Sequence, residues 1–177
     1  MGKAMGSRVT ETSFQPIDQQ LKRVLRFMPA PVGIVTSCDA AGAPVGLAMS
    51  ALMPVCLTPP SMAICVNRSA AAHDALVVAG QFCVNLLHSG NHAHLAPFAD
   101  PAARETRFTQ SDWRQHPDSG LWYIAGAAAN LFCTTSNSVE HGTHNMIVGE
   151  VTDLYTDNGE DILGWANGAL GRLQPLI

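Results

Sequence analysis

Three stretches of the chain hold residue types whose spacing could do chemistry. In Val66-Asn67-Arg68-Ser69-Ala70-Ala71-Ala72-His73-Asp74-Ala75-Leu76 a β-rich run ends, Ser69 or Asn67 can cap a helix, and the first helical turn carries only methyl side chains. The free N–H groups of such a turn, its positive dipole end and Arg68 together make a phosphate seat, and small side chains let a bulky anion reach the backbone. An ordinary capped helix with a solvated Arg68 is the competing account. The second stretch runs from Gly46 through Leu47-Ala48-Met49-Ser50-Ala51-Leu52 to Pro60 and is poor in polar groups. A flat aromatic ligand could lie against it with backbone amides reading its polar edge, although a core strand entering a proline turn has the same composition. The third is His141-Gly142-Thr143-His144 at the entry to a strand. There a neutral imidazole at His144 can bond a ligand amide or phosphate, or equally a structural neighbour.

Other signals point away from chemistry. His88, His92 and His94 include a His-x₃-His spacing, but no acidic or thiol ligand is placed beside them, so a solvated helix face is expected and no metal. The chain contains no GxGxxG, GxxxxGK[ST], GxSxG or HExxH, and no carboxylate pair in an apolar setting. Acid–base, acyl-transfer and phosphoryl-transfer machinery are therefore not evident, and an enzyme built from this sequence would rely on a cofactor.

The elements that must position these residues follow from periodicity. Ile17, Leu21, Val24, Leu25 and Met28 share one helical face between Pro16 and Met28, Ser13 can cap that helix, and Pro29-Ala30-Pro31 ends it. Strands are expected at Val32–Thr36, Val45–Met53, Ser61–Val66, Gln81–Leu87, Leu121–Ala125, Ala127–Thr135 and Thr143–Tyr155, with short helices at Ala70–Val78 and Asn91–Phe98 and a loop from Pro101 to Ser119. That order does not alternate in the βαβ manner. It predicts a mainly β protein, an antiparallel barrel with a few helices packed outside. Residues 1–14 read as a flexible polar tail and 15–177 as a single domain.

The 177 residues are 47% hydrophobic and only 14% charged, with a formal net charge of -4. So few charges would leave a lone protomer poorly covered, which predicts a homo-oligomer. The mild acidity excludes a basic patch for nucleic acid. Apolar stretches are broken well short of a membrane span, and the start MGKAMGSRVTETS lacks the apolar core of a secretory signal. Five cysteines form no CxxC pair and mostly sit in apolar runs, as buried reduced thiols of a cytoplasmic protein would.

Taken in order, Gly46-Leu47-Ala48-Met49-Ser50-Ala51, Val55 to Pro60, Cys65-Val66-Asn67-Arg68-Ser69-Ala70, Gly80 to Leu87, Leu95-Ala96-Pro97-Phe98-Ala99 and Gly142-Thr143-His144 with Val148-Gly149-Glu150-Val151 resemble the short-chain flavin reductase family. The nearest pattern is similar to reductase components of the 4-hydroxyphenylacetate 3-monooxygenase type, and the match runs from about Leu21 to Leu173. The resemblance implies a split β-barrel, FMN or FAD as cofactor, NADH or NADPH as co-substrate, a separate monooxygenase partner and a homodimer. It implies that Leu47, Ala48, Met49, Ser50, Ala51 and Leu52 hold the flavin ring mainly through backbone, with Pro31 and Val32 touching ring or ribityl chain. Asn67, Arg68, Ser69 and Ala70 would lie at the flavin phosphate and His144 near the nicotinamide. Three places depart from the family pattern: Ala48 stands for a usual Thr, Ala70 and Ala72 for Ser or Thr, and Gly168-Ala169-Leu170-Gly171 for a G-R-Y-G-like stretch. The expected function is NAD(P)H:flavin oxidoreduction. The alternative is a flavin-binding split barrel without reductase activity, either a carrier or another FMN-dependent oxidoreductase.

Overall fold

Alternating β-branched and small residues, broken by glycine and proline, fold into strands that are mostly antiparallel neighbours. The structure, a computed structural model, describes residues 15–157 and 161–173. The polar tail and the Ser13 cap lie outside those residues. The first helix, α1 (Ile17–Leu25), leads through β1 (Ala30–Pro31) into β2 (Gly33–Cys38), β3 (Pro44–Met49), β4 (Leu52–Leu57) and β5 (Pro60–Asn67). Next come α2 (His73–Ala79), β6 (Gln81–Leu86), a 3-10 turn at Ser89–Leu95 and α3 (Ala96–Ala99). A 3-10 turn at Pro101–Thr106 precedes β7 (Trp113–Gln115), β8 (Trp122–Ile124), β9 (Ala129–His141), β10 (His144–Thr156), β11 (Ile162–Ala166) and β12 (Ala169–Leu173).

The main sheet has seven antiparallel strands in the order β3-β2-β6-β9-β10-β5-β4. Laid flat, its edge strands would stand about 29 Å apart at the usual strand spacing. Yet β3 and β4 are consecutive in the chain, joined only by Ser50–Ala51, and Met49 to Leu52 can span at most about 11 Å. The sheet must therefore roll until its edges meet at that bend, which is the split barrel that the family resemblance implies. The helix α2 packs against the rolled sheet, with Leu76 and Ala72 in one buried cluster with Val35, Ile64, Val84 and Ile147. Gly149 shows how tightly the centre is packed: a Cβ there would stand 2.6 Å from Phe82.

A second apolar cluster holds Val32, Ile34, Leu87, Trp113, Ile124 and Leu163. Inside it Asn85 is fully buried and satisfied. It donates to the Ile34 carbonyl at 2.9 Å and accepts from the Ile124 N–H at 2.8 Å and the Asn130 amide at 2.9 Å. One side chain thus ties β2, β6, β8 and β9 together.

Several expectations need correction. The strand expected over Val45–Met53 is two strands, because the barrel corner falls at Ser50–Ala51. Pro54, just beyond the end of that expected strand, lies inside β4, where an edge position leaves its missing N–H without consequence. The expected Asn91–Phe98 helix divides into a 3-10 turn and the four-residue α3, and part of the expected Pro101–Ser119 loop is ordered as a 3-10 turn and β7. The β11–β12 hairpin was not foreseen. It adds to β1 as a small three-stranded sheet, its turn placing Asn167 at a φ of 52°. Cys83 and Cys133 are buried as expected, whereas Cys56 is exposed on the edge strand β4.

Two carboxylates pin loops to this frame. Hydrogen bonds from His116 and from the Leu154 N–H hold the Asp153 carboxyl below its ordinary 3.8, and the Ser89 hydroxyl and N–H do the same for Asp161. A depressed folded pKa contributes stability that is complete above the unfolded value and is lost as pH falls through the folded one. Urea midpoints should therefore fall as pH drops below about 4. An Asp153→Asn, Asp161→Asn double variant should show a shallower decline; an unchanged slope would remove these groups from the acid response.

Candidate functional site

The rolled edge at Ser50–Ala51 sets the site's position. As an edge strand, β3 pairs only with β2, so alternate backbone N–H and C=O groups face away from the sheet and are open to a ligand. Its Ala48 and Met49, with Ser50 beyond, line a cavity of about 300 Å³ together with Val32, Leu95 and Ala99. Trp165 and Leu170 of the β11–β12 hairpin complete the wall. The lining is largely apolar and the slot is not filled by the protein's own side chains. Its volume falls at the small end of ligand pockets, about 300–1,000 Å³. That suits a flat ring lying partly open to solvent, so the residues present fit an isoalloxazine.

The other expected residues sort by direction. Leu47 and Leu52 turn their side chains into the core cluster of Val35 and Ile64, so only their backbone is available to a ligand. Ala51 is exposed, and its carbonyl accepts from the Cys65 N–H at 3.1 Å. Pro31 pairs with Gly164, just outside the slot.

The second expected group lies nearby. In the β5–β10 register His144 stands opposite Asn67. Asn67 lies two residues, about 6.6 Å, beyond the Cys65 that holds Ala51. The ring strand's end, the Asn67–Ala70 turn and His144 are therefore neighbours, although separated in sequence by up to a hundred positions. The left-handed Gly142 (φ 57°) closes the β9–β10 hairpin that delivers His144, whose Nδ1 lies 2.9 Å from the Thr143 hydroxyl.

The segment expected to seat a phosphate is built differently from the expectation. Ser69 does not cap a helix: Asn67 Oδ1 accepts from both the Ser69 N–H and its hydroxyl at 2.9 Å. Helix α2 begins only at His73, with Ala72 before it and no side-chain cap. Arg68 is an exposed ion pair with Glu140 at 3.3 Å, which offsets its charge. Ala70 packs against the core cluster. The segment expected as a loop carries two arginines that border a separate cavity. Arg104 and Arg107 line a smaller cavity with Pro44, Gly46, Ala71 and Ala72. The sequence signal that could have found them is the Arg-x-x-Arg spacing after Pro101, one side of a 3-10 turn.

The three histidines do not form a solvated face. His94 is buried with Nε2 2.7 Å from Asp112, because the 3-10 turn points it inward against Trp113. His88 bonds the Gly126 carbonyl and caps the 3-10 turn, and His92 bonds the Ser89 carbonyl. Burial pushes the Cys133 thiol up to about 12 and raises Cys83 as well, so neither supplies a thiolate.

The fold is a split barrel whose open edge strand borders an apolar slot. The chain belongs to the flavin reductase like domain family, whose model matches residues 25–174. It is 31% identical over 166 residues to the 4-hydroxyphenylacetate 3-monooxygenase reductase component of Pseudomonas aeruginosa, covering 92% of this chain and 96% of that one. It is 32% identical over 148 residues to the stachydrine N-demethylase reductase subunit of Rhizobium meliloti, covering 84% of this chain but only 63% of that longer one. Among solved structures, the Streptomyces globisporus C-1027 NADH:FAD oxidoreductase in complex with NAD and FAD fragments superposes with a TM-score of 0.82 at 31% identity, covering 92% and 96% of the two chains. Among the described residues no helix is long and apolar enough to cross a membrane.

Proposed function

We propose that the chain is an NAD(P)H:flavin oxidoreductase that reduces FMN or FAD for a separate monooxygenase component. The observation that carries this reading is the apolar slot beside the open edge of β3. A bound flavin supplies the hydride acceptor, with NADH or NADPH as donor. The chain's own part is to bind and orient. Val32, Ala48 and Met49 cover a ring face, and the backbone from Leu47 to Leu52 presents donors where negative charge develops on the ring edge. Pro31 borders the ribityl side, Asn67, Arg68, Ser69 and Ala70 border the phosphate end, and His144 meets the nicotinamide. Hydride transfer needs no protein acid or base, which agrees with the lack of a carboxylate pair in the slot. The likeness to reductase components of two-component monooxygenases supports the partner, and an open slot suits a flavin that exchanges.

The protomer pairs with a second copy. In α1 no residue is buried, and Phe27 just beyond it is 82% exposed. A nine-residue helix is marginal without tertiary cover, and the sparse surface charge favours a partner of the same composition. Free cysteines fit a reducing cytoplasm.

Purified protein should oxidise NADH or NADPH when FMN or FAD is added; no oxidation with any pairing would overturn the reading. His144→Ala should slow reduction of bound flavin about tenfold, equivalent to about 1.4 kcal/mol, while flavin affinity stays unchanged. Stopped-flow absorbance against a flavin titration separates the two, and a loss confined to flavin affinity would move His144 to the flavin side. Gel filtration at the monomer mass would remove the dimer.

A further inference from the structure

At the end of β2 away from the ring slot lies a cavity of about 300 Å³ that the flavin reading does not use. Val32 lines the slot and Cys38 this cavity, six residues further on and so about 20 Å along the extended chain. It has room for about ten water-sized groups. One wall is apolar: Ala75, Val78 and Ala79 share a face of α2 at the i, i+3 and i+4 spacing. The rest of the lining offers acceptors. Asp39 Oδ1 accepts from the Ala41 and Ala43 N–H groups, both at 2.9 Å, which fixes the carboxylate and leaves Oδ2 for a ligand. Gln81 donates from its side-chain amide to the Ser119 carbonyl at 3.2 Å, and its own amide oxygen remains as a second acceptor. Helix α2 ends between these groups, with Gly80 left-handed at a φ of 66° and no basic residue in its last turn. The carbonyls that close the helix therefore meet no cation from their own element.

Positive charge is what this lining lacks. Among the described residues no Lys, Arg or His borders the cavity, and Asp39 forms no ion pair. Burial and the Asp39 charge both raise the Cys38 thiol, with no cation to offset them. A metal ion does not suit the place: a hard cation takes six or more oxygen ligands, and here one carboxylate stands beside methyl groups. An anion would meet Asp39 unscreened. We propose that this cavity binds a small organic cation, a primary ammonium ion on a hydrocarbon stem, with the ammonium at Asp39 and Gln81 and the stem against Ala75, Val78 and Ala79. An ammonium group carries three donors and no acceptor, the complement of such a lining. The site is separate from the ring slot and does not rest on the flavin reading.

Titration of the whole protein with n-hexylammonium chloride, followed by amide NMR shifts, should saturate with a Kd of about 1 mM and move the Ala40, Ala75 and Ala79 signals. The neutral n-hexanol should bind at least about fivefold more weakly, and hexanoate should give no saturable shift. Asp39→Asn keeps the oxygen that holds the Ala41 and Ala43 N–H groups and removes only the charge. It should bring hexylammonium down to the hexanol affinity and leave hexanol within about twofold. Ala75→Leu fills the apolar side and should abolish binding of both, with a near-native thermal melt. FMN affinity should be the same in Asp39→Asn as in the native protein. The absence of a saturable hexylammonium shift would overturn the proposal, as would equal affinity for the amine, the alcohol and the acid. So would an unaltered hexylammonium affinity in Asp39→Asn. Displacement of hexylammonium by FMN would also overturn it, by placing the amine in the ring slot.

Discussion

Replacing Asn85 with leucine is expected to destabilise the fold by about 3–5 kcal/mol, a large share of what a domain of this size has. The volumes are close, so the loss is not one of packing. It comes from the groups left behind: the Ile34 carbonyl loses a donor, and the Ile124 N–H and one Asn130 amide hydrogen lose their shared acceptor. Each buried polar group without a partner costs about 1–3 kcal/mol, and the neighbouring side chains are those of an apolar cluster that offers no replacement donor or acceptor. The Asn130 amide keeps the Ile124 carbonyl at 3.2 Å, which limits the total. Asn130→Ala should cost less, about 1 kcal/mol, because Asn85 keeps two of its three partners. Chemical denaturation of the two variants against the native protein checks both values; an Asn85→Leu effect below 1 kcal/mol would mean that the network relaxes around the change. The consequence reaches the site, since Ile34 pairs directly with Ala48 across β2 and β3.

Filling the slot should abolish tight flavin binding while sparing the fold. In Ala48→Phe a ring enters the cavity lined by Val32, Ser50, Leu95 and Trp165. Denying a flavin about 100 Å² of apolar contact forfeits about 2.5–3 kcal/mol, or about 100-fold in affinity. Ala48 is only partly buried at the rim of its cluster, so the melting temperature should move little. Flavin fluorescence titration alongside a thermal melt reads both quantities. Native-like FMN affinity in Ala48→Phe would show that the ring binds elsewhere, and the functional reading would lose its central observation. The two variants are complementary: Asn85→Leu acts first on stability and reaches the slot only through the Ile34–Ala48 pairing, and Ala48→Phe loses the slot with little change in stability.

Much of the fold is legible from local patterning. The β2–β3 hairpin is announced by Asp39-Ala40-Ala41-Gly42-Ala43-Pro44 between β-rich runs, and in the structure Asp39 accepts from the Ala41 and Ala43 N–H groups in that turn. The segment around α2 is legible as a helix closed by Gly80, which does adopt the left-handed conformation at a φ of 66°. What misleads is a local signal overridden by a distant one. Val45–Met53 reads as one strand because its residues are nearly all apolar or small with no proline among them, and only the need to bring β3 and β4 together breaks it at Ser50–Ala51. Ser69 reads as a helix cap because capping is judged from neighbours in sequence, yet Asn67 takes its N–H and hydroxyl first. His94 reads as solvated because nothing in its own segment reveals Asp112 and Trp113, eighteen residues and more away. The β11–β12 hairpin is short, and its partner β1 lies more than a hundred positions earlier, so no local signal could pair them.

By itself the sequence determined which segments bend, which are apolar on one side, and which lack the groups for acid–base or nucleophilic work, since these depend on residue type and near neighbours. Tertiary structure alone decided that an edge strand would be left open, that a C-terminal tryptophan and leucine would wall its slot, and that two arginines from a loop would face the alanines before α2. Those are meetings between residues far apart in the chain. They are set by how a seven-stranded sheet must roll when its first and last strands are joined by two residues, a geometric condition that no single stretch of the chain contains.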